Sequence, residues 1–189
     1  YEFLLKNPSI NFFVFPIKII NNFSTKSASL SGIPQTNYIS LRTDYGVKYD
    51  LQEVIHSKLL LDVLYDDPID IRRIPTSYLW FKASENSLCL PVNSLPVKTK
   101  EYLSDGMTSN LLPLKIRYPK YIVYKYEIAL KNKGYKSLLH RCKFLILFYR
   151  YSFHNKSLKF TNFRYFPFYV LGYICGLFDL LRLKIFFKK

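Results

Sequence analysis

The first apolar positions fall in two short runs, Phe12-Phe13-Val14-Phe15 and Ile17-Lys18-Ile19-Ile20, on either side of Pro16. Both predict strands, separated by a proline that has no N–H to give a ladder. Residues 21–46 are rich in Asn, Ser, Thr and Gly with Pro34, the pattern of a surface loop or extended arm. From Asp50 the spacing changes. Leu51, Val54, Ile55, Leu59 and Val63 share one helical face. Asp50 as N-cap with Glu53 three residues on makes a capping box, and Asp66-Asp67-Pro68 ends the helix. Ser77-Tyr78-Leu79-Trp80-Phe81 predicts a strand core. Cys89-Leu90-Pro91-Val92 and Leu95-Pro96-Val97 predict extended pieces at a sheet edge or over a surface. Asp105-Gly106 and Pro113 mark a boundary.

The second half changes to helical spacing. Pro119 suits a first turn, and a helix over about 119–132 stops at Gly134 with Lys131 and Lys133 at its C-terminal end. Ser137 caps the next, in which Leu138, Leu139, Cys142, Leu145, Ile146 and Tyr149 fall on one stripe. Two basic helices joined by a glycine turn make an αα-hairpin. The tail 165–181 is apolar, with Gly172 and Gly176 spaced for close approach of a partner helix. Its length is at the lower edge of a membrane span. Asp179 interrupts it, with Arg182 as a local i,i+3 partner. A helix buried against protein or lying at an interface fits this better than a bilayer span.

Charge sharpens the division. Residues 1–110 hold 11 Lys+Arg and 11 Asp+Glu. Residues 111–189 hold 17 Lys+Arg against Glu127 and Asp179, so the whole +15 excess lies there. Between 115 and 164 stand Lys115, Arg117, Lys120, Lys125, Lys131, Lys133, Lys136, Arg141, Lys143, Arg150, Lys156, Lys159 and Arg164, with Glu127 as the only acid. Neutralising phosphates with such cations releases condensed counterions. The interleaved Tyr118, Tyr121, Tyr124, Tyr126, Tyr135 and Tyr151 offer rings for stacking on unpaired bases. Lys outnumbers Arg in the set by 9 to 4, which suits backbone contact more than base readout.

Other classes recede. Six glycines against 33 Tyr and Phe argue against a glycine-rich nucleotide fold. No P-loop, GxGxxG, HExxH or GxSxG occurs. Asp66, Asp67 and Asp70 read as a turn beside Pro68 rather than as a general acid and base. Cys89, Cys142 and Cys175 are odd in number and widely spaced, which fits a reducing compartment, and His56, His140 and His154 have no metal spacing. Residues 3–33 lack acids and resemble the end of an organelle transit peptide, with no initiator Met ahead of them, so a processed N-terminus is expected.

The expected fold is α+β. A charge-neutral mixed α/β body with an extended N-terminal arm (1–110, short strands plus one amphipathic helix) precedes a basic aromatic helical hairpin and loop (111–164) and an apolar C-terminal helix (165–189). The expected function is structural, not enzymatic, with no cofactor, metal or small-molecule substrate. The first expectation is a component of a mitochondrial ribosome in the matrix, held by ribosomal RNA and neighbouring ribosomal proteins. The alternative is an accessory subunit of an inner-membrane respiratory complex, with a single C-terminal membrane helix and its basic stretch on anionic lipid.

Overall fold

The structure is a computed structural model, and it describes residues 10–21, 24–64, 75–101, 111–157 and 163–186. The Asp66-Asp67-Pro68 turn with Asp70, the Asp105-Gly106 boundary and Lys159 lie outside these. The class is α+β, 56% helical and 15% strand, with N-terminal strands and a helical C-terminal half. The chain divides into two compact units. One is drawn from residues 1–70, 79–106 and 134–136, the other from 71–78, 107–133 and 137–189.

The first unit carries two small sheets. Strand β1 (Phe12–Pro16) lies between β4 (Leu51–Ile55), antiparallel, and β5 (Leu90–Pro91), parallel. Strand β2 (Lys18–Asn21) lies between β3 (Ser24–Ser27), antiparallel, and β6 (Thr99–Glu101), parallel. Phe12, Phe13 and Val14 are all buried, so β1 reads as a continuous apolar run. Helix α1 (Tyr38–Thr43) covers this core with Tyr38, Ile39 and Leu41. Asn37 caps it: its side chain accepts the Ile39 N–H at 2.8 Å and donates to the Ser84 carbonyl at 2.7 Å. Helix α2 (Ser57–Leu64) and helix α3 (Thr76–Asn86) follow along the chain. Phe12 stacks on Tyr38 at 5.5 Å and packs on Trp80 at 5.8 Å.

Three local expectations fail here. The helix expected from Asp50 is β4 followed by α2, because Leu51–Ile55 pair with β1 over its whole length. Pairing with an apolar neighbour overrides a five-residue helical pattern. Asp50 and Glu53 are therefore not a capping box. Asp50 pairs with Lys100 at 2.6 Å, and Glu53 accepts from the Tyr38 hydroxyl and from Arg42 Nη2 at 3.4 Å. Ser77–Phe81 is helix, not strand, since Phe81 and Ser84 bury at i,i+3 spacing in α3. Residues 21–46 are more than an arm, supplying β3, α1 and the buried Leu30.

The second unit is helical: α4 (Leu111–Arg117), α5 (Lys120–Lys131), α6 (Leu138–His154), a 3₁₀ turn at Phe163–Tyr165, and α7 (Phe166–Phe186). Helices α5 and α6 pack as the expected hairpin. The core between them holds Ile122, Val123 and Tyr151, with Tyr126, Leu147 and Phe148 around it. Ser137 caps α6 through the His140 N–H. Leu138 and Leu139 stand 73% and 78% exposed, so the buried stripe begins only at Phe144.

Candidate nucleic-acid interface and the terminal helix pair

The surface cations of the second unit are carried mainly by α4, α5 and α6. Arg117 is exposed, with its guanidinium 5.6 Å over the Tyr118 ring, and the ammonium of the partly exposed Lys120 stands 5.8 Å over Tyr124. Lys125 covers Tyr126 at 5.4 Å. Lys131 and Lys133, exposed at the C-terminal end of α5, lie near the start of α6, where Arg141 Nη2 donates to the Asn132 carbonyl at 3.3 Å and Lys143 is exposed. One end of the hairpin thus gathers four cations against Glu127, which pairs with Lys131 at 2.7 Å. Lys156 and Arg164 are exposed beyond α6. Lys115 is half-buried, and burial, helped by the charge of Arg150, lowers its amine below the usual value.

Lys136 belongs to the first unit, where its N–H donates to Asp44 and Ser40 Oγ donates to the Gly134 carbonyl at 2.8 Å. The stacking role expected of the tyrosines falls on few of them. Tyr121, Tyr135 and Tyr151 are buried, and Tyr126 stacks inside on Tyr151 at 6.2 Å. Tyr124 is exposed, and Tyr118 is partly so.

Comparison with family models, curated proteins and solved structures finds no match to this chain.

Arg150 does different work from the surface cations. Its Nε donates to Asp179 Oδ2 at 2.7 Å and its Nη2 to Oδ1 at 2.5 Å, a two-pronged bond from α6 to α7. His154, one turn further along α6, contacts the same Oδ2 through Nε2 at 3.0 Å. Asp179 is 2% exposed. Burial pushes its carboxyl up, but the bonds from Arg150 and His154 outweigh that and hold it below the ordinary carboxylate value. The bond to Asp179 raises Arg150 in turn, against the cost of burial. Arg150 is thus committed inside the unit. Arg182, the local partner expected for Asp179, is exposed instead. The sequence carries a signal for this triad: Arg150 and His154 are four apart on one helix, and Asp179 is the only acid after Glu127.

The two glycines of the tail are where α7 meets α6. A methyl carbon at Gly172 would lie 2.5 Å from Tyr149 Cβ, 2.8 Å from the Ile146 carbonyl oxygen and 2.9 Å from the Arg150 nitrogen. At Gly176 it would meet the Phe153 ring at 2.5 Å. Tyr149 meets Tyr169 edge-on at 5.5 Å, and Phe153 meets Tyr173 at 5.2 Å. The partner helix that the glycine spacing implies is α6 of the same chain. No helix among the described residues is long and apolar enough to cross a membrane.

In the first unit, the Tyr38 hydroxyl, Glu53 and Arg42 form a closed network. Arg42 also donates to the carbonyls of Val47 and Tyr49, at 3.1 and 2.6 Å. Burial raises the Glu53 carboxyl, and the bonds from Tyr38 and Arg42 only partly offset it. Burial likewise pushes the Cys89 thiol up to about 12, which leaves it an unreactive core residue. Among the described residues no group of three His, Cys, Asp or Glu side chains is placed to hold a metal.

Proposed function

We propose that this chain is a structural component of a mitochondrial ribosome and docks on ribosomal RNA through the cationic surface of its second unit. The observation that carries this reading is the charge distribution. The +15 excess sits in residues 111–189. The exposed Arg117, Lys131, Lys133, Lys143, Lys156 and Arg164 project from a helical support, while Arg150 and Asp179 neutralise each other inside it. A set of surface lysines on a helical hairpin suits phosphates, which are recognised by charge and position rather than by base identity. Tyr124, exposed beside Lys120, adds a ring for an unpaired base. The first unit, with 10 Lys+Arg against 11 Asp+Glu, contacts neighbouring proteins of the particle and performs no reaction.

Reversing charge at four exposed sites (Arg117→Glu, Lys131→Glu, Lys133→Glu and Lys143→Glu) tests the proposal. The variant should bind ribosomal RNA more weakly and fail to enter the particle. The salt dependence of the remaining affinity should flatten by roughly 0.7–0.9 log units per log unit of salt for each phosphate no longer neutralised. Unchanged incorporation and an unchanged salt slope refute the docking surface. The second reading, an accessory subunit of an inner-membrane complex, is favoured by one observation: α7 turns most of its large apolar side chains outward.

A further inference from the structure

Helix α7 is inverted relative to a helix in water. Residues advance by about 100° along an α-helix. Gly172, Gly176 and Asp179 therefore share one narrow face, and all three are buried. Roughly the opposite half of the circumference carries Leu171, Ile174, Leu177, Phe178, Leu180 and Leu181, all exposed, with Phe178 at 62% and Leu181 at 56%. An amphipathic helix on an aqueous core does the reverse, with leucines inward and the carboxylate outward. In an apolar medium the observed order is the favourable one. Small residues let helices approach, and an ionised group turns inward to its partner.

Charge identifies the medium. After Glu127 the chain holds 13 Lys+Arg and one acid, Asp179. That acid is sealed by Arg150 and His154, so its carboxylate does not face outward beside the leucines. Arg164 precedes the helix and Arg182 follows the outward Leu181, and both are exposed. An apolar arc with arginines at its two ends and no negative charge complements anionic headgroups above acyl chains. The width of the arc agrees, since a flat lipid surface wets half a helix whereas a groove in a protein reads a narrower stripe of anchors.

We propose that the outer face of α7 docks along an anionic lipid surface, with its leucines and Phe178 below the headgroups and Arg164 and Arg182 on the lipid phosphates. Helix α6 holds the other face through Gly172, Gly176 and the Asp179 triad. The helix lies along the surface and does not cross it. Apart from Arg164, which the cationic set named for RNA also includes, this surface is distinct from the cations assigned to RNA, so a single chain has both a nucleic-acid side and a lipid side.

The test uses the full chain after RNase treatment, with vesicles of phosphatidylglycerol and phosphatidylcholine. The chain should float with these vesicles. Tryptophan placed by Phe178→Trp should be quenched by lipids brominated on the acyl chain, with the native Trp80 alone as the control. The triple variant Leu177→Gln, Phe178→Gln, Leu181→Gln should keep its helical circular dichroism, because all three side chains are exposed, and bind vesicles at least about tenfold more weakly. Three results overturn the proposal: no flotation; flotation without quenching, which is binding by charge alone; or a triple variant that floats normally but no longer joins its protein neighbours. No RNA is present in this assay and no lipid in the RNA assay, so either proposal can fail without the other.

Discussion

Replacing Gly172 by alanine tests the α6–α7 contact directly. In isolation the change stabilises a helix by about 1 kcal/mol, because alanine restricts the unfolded chain and suits helical backbone. Here the added methyl meets Tyr149 Cβ at 2.5 Å, the Ile146 carbonyl oxygen at 2.8 Å and the Arg150 nitrogen at 2.9 Å. Two of these are backbone atoms of α6 and the third is fixed to that backbone. None can rotate away, so the helices must separate. Overpacking of this kind costs about 1–3 kcal/mol, and the unyielding neighbours place it in the upper part of that range. Separation also lengthens the Arg150–Asp179 bonds, which weakens the pair further. The net expectation is a destabilisation of about 1–2 kcal/mol, or a fall of roughly 2–8 °C in Tm for a chain of this size. Thermal unfolding of the full chain, followed by circular dichroism at 222 nm, measures it. Gly176→Ala should cost less, since its obstacle is the Phe153 ring, which can swing. A Gly172→Ala protein as stable as the wild type, or more so, would mean that propensity alone acts and that the helices do not meet as described.

Asp179→Ala should cost about 3 kcal/mol by leaving Arg150 without its counter-charge and His154 without its hydrogen-bond partner, and Arg150→Met in the same chain should recover part of it in a double-mutant cycle. Because Asp179 titrates below its ordinary value, its stabilisation is fully present above the usual carboxylate range and is lost as pH falls through its lowered folded value. A pH series of urea unfolding should show this acid loss in the wild type and not in Asp179→Asn. Glu53 works with the opposite sign. Its raised carboxyl means that stability falls as pH rises from the ordinary value through the folded one, and Glu53→Gln should abolish that slope. Ser152 Oγ is buried with no hydrogen-bond partner, so Ser152→Ala should raise stability by about 1 kcal/mol in chemical unfolding.

The legible parts of the chain are those in which local chemistry and tertiary context agree. Ser137 caps a helix whatever surrounds it, and Pro16 ends a strand in any sheet. The hairpin of α5 and α6 follows from helical spacing and a polar turn, and the division of charge needs only counting. Leu51–Val63 misleads because its five-residue start matches a helix by spacing but is held as strand by β1, a partner more than 30 positions away. Ser77–Phe81 misleads because aromatic residues favour strands on average, yet here they fill helical positions of a core that includes Phe12 and Tyr38. The tail is half legible. Its glycines announce a close helix contact, but the identity of that helix depends on Arg150 and His154 reaching Asp179 across 29 and 25 positions. The tyrosines cannot be sorted by sequence, since a ring that stacks on a base and a ring that fills a core have the same spacing.

The most direct test of the proposed docking on ribosomal RNA is sedimentation of a detergent-solubilised mitochondrial lysate, with and without RNase, following this chain. Detergent removes any contribution that α7 makes through lipid, so sensitivity to RNase reports contact with RNA. RNA docking predicts that the chain runs with a ribosomal subunit and leaves that position when RNA is digested. A chain that ignores RNase and migrates with a detergent-held complex of membrane proteins contradicts it.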